Sequence, residues 1–275
     1  MFDGYSRCAN EETHLMSAKR QPFKIMSAVV FALMMREMKT RFGVYRLGYL
    51  WALLEPGIHI AVFAIIFGVI AQRTMPGINF IVFLTTGIIP WLMFNSMLSR
   101  GMSAVSANQG LFSYRQVKPM DSILARMILE GIIYTSIYLC ILLIFVWSGV
   151  DVSIEDPLKV IAAFLLLFLF SYGLSTIMCI AVTQAPEVQK LIPIFLRPLY
   201  FMSGIFFSIE SVPHEYRAYL MWNPVMQTNE LSRDAFFTAY ETPEGSWSYL
   251  VLCTAVAIIF GLALYRQNRE KLVTT

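Results

Sequence analysis

The sequence has little charge. Asp, Glu, Lys and Arg make up 14% of its 275 residues, against 57% hydrophobic ones; a soluble domain carries roughly a quarter charged residues. One water-facing globule is thereby excluded. Cysteine and histidine are sparse as well. Cys140, Cys179 and Cys253 fall inside apolar runs and Cys8 in the polar N-terminal stretch, with no CxxC or Cys/His spacing that suits zinc. His14, His59 and His214 are far apart in sequence. There is no GxxxxGK[ST] phosphate loop, no HExxH, no GxSxG and no DxDxDG. The chain is therefore expected to hold no cofactor and to hydrolyse no nucleotide itself. Residues 1–21 contain no apolar h-region, so no cleavable signal peptide is expected. Without repeats or low-complexity tracts, the reading is a polar tail, 1–21, followed by one membrane domain, 22–275.

What is present is a series of long apolar runs. About 20 helical residues cross the hydrocarbon. Uncharged runs cover 56–72, 74–99, 131–150, 160–186 and 246–265, and a sixth, 191–209, is interrupted by Arg197. They predict an all-α polytopic membrane protein with six spans, at about 50–72, 78–100, 123–149, 158–184, 190–209 and 246–266. With the N-terminus placed inside, seventeen of the 21 Lys and Arg fall on the cytoplasmic side. Arg73, Lys159, Arg217 and Arg233 remain outside. That bias predicts both termini in the cytoplasm. The carboxylates Glu55 and Glu130 read as span-edge residues, and Arg197 alone approaches the interior of a run. A proton-driven carrier places an ionisable group deep in a span. The chain reads instead as needing a motor from elsewhere.

Three segments exceed a plain bundle. Residues 22–48 group Lys24, Arg36, Lys39 and Arg41 beside apolar residues, which predicts an interfacial helix. The other reading is a helix packed on the protein itself. Residues 211–240 predict two short re-entrant helices starting near Pro213 and Pro224, with Tyr216, Tyr219, Trp222 and Tyr240 at the outer interface and Glu230 paired structurally with Arg233. The third is "SANQGLFSYRQVKPMDSILAR", 106–126, too richly dressed for a connector. A short helix over about 108–119, ended by Pro119, would display Leu111, Phe112 and Tyr114 with Arg115 and Lys118. Exposed aromatics beside Arg suit a protein partner. A basic loop hugging the membrane fits the same residues.

Four stretches carry a resemblance: "RFGVYRLGYLWALLEP" (Arg41–Pro56), "NQGLFSYRQVKPMDSILAR" (Asn108–Arg126), "PEVQKLIPIFLRPLYFMSGIFF" (Pro186–Phe207) and "WNPVMQTNELSRDAF" (Trp222–Phe236). From about Pro22 onward the chain resembles the KpsM-type permease subunits of bacterial capsular-polysaccharide ABC exporters, in the ABC-2 polysaccharide export class. The resemblance implies a homodimer in the inner membrane, surrounded by lipid, joined by two ATP-binding subunits that hold ATP and Mg. It implies an acidic capsular polysaccharide with a lipid-linked end as cargo, periplasmic and outer-membrane export proteins as further partners, and no nucleic acid. It makes the loop between spans two and three the coupling helix, with Asn108, Gln109, Leu111, Phe112, Tyr114, Arg115 and Lys118 as contact residues. It points to Tyr45, Arg46, Tyr49 and Trp51 where cargo would enter, with Arg73, Trp91, Arg100 and Arg197 along the path. Trp51 and Trp91 also read as interface anchors, and Arg100 and Arg126 as cations snorkelling to the cytoplasmic surface. Within the ABC class, O-antigen, teichoic acid or a small amphiphile are alternative cargoes. A membrane-embedded enzyme or scaffold is a third reading, disfavoured by the lack of clustered carboxylates or a metal motif at a span end.

Overall fold

Proline at the first helical position, behind a polar residue, sets several helix starts. The computed structural model describes residues 22–43, 48–70, 77–114, 116–152 and 154–274. Its helices are α1 (Pro22–Phe42), α2 (Gly48–Phe63, continuing as π-helix over Ala64–Ile70), α3 (Phe80–Gly101), α4 (Pro119–Trp147), α5 (Pro157–Gln184), α6 (Val188–Phe201), α7 (His214–Met221), α8 (Pro224–Phe236), α9 (Trp247–Asn268) and α10 (Lys271–Thr274). Short 3-10 helices cover Ser106–Leu111 and Ile209–Ser211. At the start of α4 the Lys118 N–H donates to Asp121 Oδ2 at 3.0 Å. At α5, Asp156 Oδ1 accepts from the Lys159 N–H at 3.2 Å. At α8, Asn223 Oδ1 accepts from the Val225 N–H at 3.0 Å. Each satisfies a backbone donor that the helix itself leaves open.

Among the described residues, five stretches are long and apolar enough to cross a membrane: Leu50–Gly68, Phe80–Gly101, Pro119–Trp147, Pro157–Gln184 and Trp247–Asn268. α5 is central and packs against α3, α8 and α9. The approach of α5 to α9 depends on glycine. A Cβ at Gly173 would lie 2.6 Å from the Ala257 carbonyl carbon, and one at Gly261 would lie 2.9 Å from the Gly173 oxygen. Missing side chains let two membrane helices touch at the backbone. In α3, 78% of the spanning window is buried, against 11% in α2. Polar side chains on α3 therefore face protein or a protein-lined groove, while α2 borders the bundle.

α8 is locked by its own charge. Arg233 is fully buried and donates to Gly204 O at 2.5 Å, Ile205 O at 3.1 Å and Phe207 O at 3.3 Å. Its guanidinium lies 3.6 Å from the centroid of the Phe83 ring and 3.6 Å from Glu230 Oε1. Gly204 has φ of 66°, a left-handed turn that glycine takes without strain. Burial pushes the Glu230 carboxyl up, and the Arg233 charge opposes that shift.

The structure departs from the sequence reading at several places. The run 190–209 is not one long helix. α6 holds 14 residues, about 21 Å at the usual rise, and the chain turns at Met202. Pro193 and Pro198 each remove a backbone donor within α6. α4 starts at Pro119 rather than 123, because the proline and the Asp121 cap favour initiation there. Glu130 consequently lies three turns inside α4 and is buried, not at a span edge. α1 packs on α4 through Val30, Leu33 and Ala125. Two short helices do follow α6, but α8 is enclosed by α3, α5 and α9. Tyr216, Tyr219 and Trp222 are exposed, whereas Tyr240 is buried and donates to Glu230 Oε2 at 2.7 Å. Residues 1–21 lie outside the described residues.

Candidate functional site

The loop between α3 and α4 differs from the expected helix over 108–119. A 3-10 helix covers Ser106–Leu111, followed by turns. Two features stop an α-helix. Lys118 precedes a proline and is extended. The Asn108 amide donates to Ala104 O at 2.7 Å, so a side chain competes with helix hydrogen bonding. Asn108 is buried and also accepts from Arg36 of α1. Phe112, expected on display, is buried in the main core, and Leu111 packs beside Val30 and Leu33. Inward placement satisfies both apolar side chains and closes the loop on the bundle. Gln109, Tyr114 and Lys118 are exposed. Arg115 lies outside the described residues.

The path candidates meet along one face of α3. Trp91, Leu92, Asn95 and Ser99 follow helical spacing and line a cavity of about 410 Å³, closed by His59 of α2 and by Arg197 and Tyr200 of α6. Trp91 is buried, with its ring 5.5 Å from that of Tyr200. It does not stand at the lipid interface. His59 Nε2 and the Tyr200 hydroxyl are 2.6 Å apart. Phe63 and Phe67 of α2 continue the aromatic wall, their rings 4.5 and 5.2 Å from Phe206. Arg197 is exposed to the cavity and has no ion-pair partner among the described residues.

Leu92, Asn95 and Ser99 also line a second cavity, of about 330 Å³, with Arg41, Glu55 and Arg100. Those three residues in turn line a third, of about 530 Å³, at the elbow of α1 and α2 beside exposed Trp51. With these wall residues in common, the three adjoin in a row, here called the groove. A still larger cavity, about 640 Å³ between α4 and α5, is lined chiefly by aliphatic and aromatic side chains. It offers few partners for a hydroxylated molecule. Tyr45, Arg46 and Arg73 lie outside the described residues, as does the side chain of Tyr49.

Charge is arranged tightly at the base of this groove. Arg41 Nη1 lies 2.5 Å and Arg100 Nε 3.2 Å from the same Glu130 oxygen, and the Ser96 hydroxyl donates to the other at 2.8 Å. Arg126 pairs with Glu37 at 3.2 Å and donates to Arg100 O at 2.9 Å and Ser103 Oγ at 3.1 Å. Arg100 and Arg126 are thus held by protein partners rather than extended to the surface. Reading the sequence missed Glu130, His59, Asn95, Ser99 and Tyr200. The spacing Trp91, Asn95, Ser99 was a usable signal for one polar helix face, whereas Arg126 four residues before Glu130 would have misled, since Arg126 pairs with Glu37 and Glu130 with Arg41 and Arg100. Tyr200 and His59 left no local sign, since they meet across 141 residues.

Comparison with known proteins bears on this geometry. The chain is 44% identical over 256 residues to the "Polysialic acid transport protein KpsM" of Escherichia coli, covering 93% of this chain and 99% of that one. It is 31% identical over 248 residues to the "Capsule polysaccharide export inner-membrane protein CtrC" of Neisseria meningitidis, covering 87% and 91%. It is 26% identical over 251 residues to the corresponding BexB of Haemophilus influenzae, covering 90% and 94%. The sequence pattern of the ABC-2 type transporter family matches residues 28–237, which takes in most of α1, the charged base of the groove, the α3–α4 loop and the Arg233 lock. On that span of match and those near-full-length relatives, the chain belongs to the ABC-2 type transporter family.

Proposed function

We propose that this chain is the permease subunit of an ATP-driven exporter that moves capsular polysaccharide outward across the bacterial cytoplasmic membrane. Two copies assemble with two copies of a separate ATP-binding subunit, which holds the ATP and Mg. Both termini lie in the cytoplasm. α6 with the turn after it serves as a fifth, incomplete crossing between the five long helices, α1 lies at the cytoplasmic surface, and α7 with α8 forms the short pair in the outer half. The observation that carries this reading is the row of adjoining cavities beside α3, walled by aromatics and arginines. A hydrophilic chain cannot enter hydrocarbon, because its hydroxyls and carboxylates would lose water without replacement. Tyr200, backed by the buried Trp91 ring, offers an aromatic face to sugar C–H surfaces without fixing a register, and Arg197 and Arg100 offer charge to acidic groups. A second copy set against α2 and α6, whose apolar faces are widely exposed, would close the groove into a conduit.

The α3–α4 loop is the coupling element in this reading. Gln109, Tyr114 and Lys118 meet the ATP-binding subunit, and Arg115, next to Tyr114 in sequence, belongs to the same proposed set. Asn108, Leu111 and Phe112 act from behind, fastening the loop to α1 and the core so that a push is transmitted. The test is co-purification from membranes followed by transport of lipid-linked polysaccharide into sealed proteoliposomes. Transport is expected with the permease, its ATP-binding subunit and ATP together. A stable ATP-binding subunit that never associates, or transport by the permease alone, would overturn the assignment.

A further inference from the structure

The arginines at the base of the groove, unlike Arg197, already have anionic partners from the same chain. Arg41 and Arg100 converge on one oxygen of Glu130, and Arg126 is paired with Glu37. Glu55 lines the same walls, so three arginines face three carboxylates. The exposures are unequal in a telling way. The Glu130 side chain is 3% exposed, whereas that of Arg100 is 41% exposed. Arg41 and Arg100 both line the elbow cavity beside Trp51, and Glu130 does not. The guanidinium groups are reachable from the groove, and the carboxylate that neutralises them stands behind.

We propose that Glu130 is an internal counter-anion that sets how strongly Arg41 and Arg100 hold the acidic groups of the passing glycan, so that each group is bound and then released. The inference rests on the export function proposed above. Two arginines around one point in a poorly hydrated wall would hold a carboxylate tightly if nothing shared their charge. Conduction needs sites that are favourable enough to enter and weak enough to leave. Glu130 supplies the weakening. An incoming carboxylate takes over part of the Arg100 fork, and Glu130 recovers it when the sugar moves on. Ser96 keeps the Glu130 carboxylate in place during the exchange through the 2.8 Å hydrogen bond. Tightening such a site lowers the concentration needed to fill it without speeding passage.

The test uses the permease with its ATP-binding subunit in proteoliposomes. The probes are a lipid-linked oligosialic acid and the same chain with its carboxyl groups reduced to alcohols. For Glu130→Gln we expect the half-saturating concentration of the acidic chain to fall about fivefold and its maximal rate to fall by a similar factor, from one uncompensated charge at the groove wall. Added salt should restore part of the rate. The reduced chain should move at the wild-type rate, and Glu130→Asp, which keeps the charge, should restore both parameters. Equal losses with both chains, or a rate loss without tighter half-saturation, would make Glu130 a structural residue and overturn the proposal. A wild-type complex that moved neither chain would instead overturn the export function, and this inference with it.

Discussion

Replacing Arg233 by Met keeps the length of the side chain and removes its charge and donors. The wild-type guanidinium is fully buried, bonds three carbonyls of the 204–207 turn, and lies 3.6 Å from Glu230. Removing one member of a buried pair leaves the other uncompensated, at a cost of about 3–5 kcal/mol. Orphaned carbonyls of Gly204 and Ile205 add to that, though the terms overlap and do not sum. With a midpoint shift of about 2–4 °C per kcal/mol for chains near this size, we expect thermal unfolding in detergent about 10 °C lower. Glu230→Gln should cost less, because the Tyr240 and Thr242 hydroxyls still have an oxygen to bond. The double variant should then be clearly less unstable than the two single losses added together. Arg233→Lys should not rescue, since one ammonium cannot span several carbonyls and the Phe83 ring as a planar fork does. An Arg233→Met protein as stable as wild type, or additive losses in the double variant, would refute the charge lock.

Further predictions concern coupling, the groove and packing. Tyr114→Ala with Lys118→Glu should leave insertion and thermal stability unchanged while abolishing co-purification of the ATP-binding subunit; normal recruitment would remove those residues from the docking surface. Asn108→Ala should still recruit that subunit but uncouple ATP hydrolysis from transport, because the tie to Arg36 and Ala104 is lost; tightly coupled hydrolysis would argue against a fastening role. Arg197→Glu should slow transport of an acidic glycan several-fold while assembly survives, and an unchanged rate would exclude it from the path. Gly173→Val should separate α5 from α9 and lower detergent-solubilised yield sharply; wild-type yield would mean the helices can re-pack around a side chain.

The long apolar runs were legible because crossing hydrocarbon imposes one rule on length and composition. The helix start at Pro224, behind the capping Asn223, was equally local, whereas α4 began at Pro119, four residues before the expected 123. The run at 190–209 failed for a physical reason. Hydropathy reports that a segment avoids water, not that it is straight, and residues 203–208 avoid water by wrapping over Arg233. Phe112 and Tyr240 failed in the same sense. An aromatic in a polar segment was read as a surface anchor, yet Phe112 fills the core and Tyr240 satisfies a buried carboxylate.

The charged base of the groove was the least legible part, and the distances show why. Arg41 and Glu130 are 89 residues apart, as are Glu37 and Arg126, and Arg36 and Asn108 are 72 apart. Counting cations by side says nothing of which partners they meet. The positive-inside rule treats Arg36, Arg41, Arg100 and Arg126 as independent charges facing water, but each is tied to a partner on another helix or loop, although Arg36 stays exposed and Arg100 partly so. A cation placed for topology costs less to reuse in a site than one introduced for the purpose, since insertion already sets it beside the membrane. If that reuse is general within this chain, neutralising Arg41 or Arg100 should impair transport without inverting the membrane orientation, whereas moving the same charges to the outer loops should disturb insertion first. Accessibility labelling of a single introduced cysteine at each end separates the two outcomes.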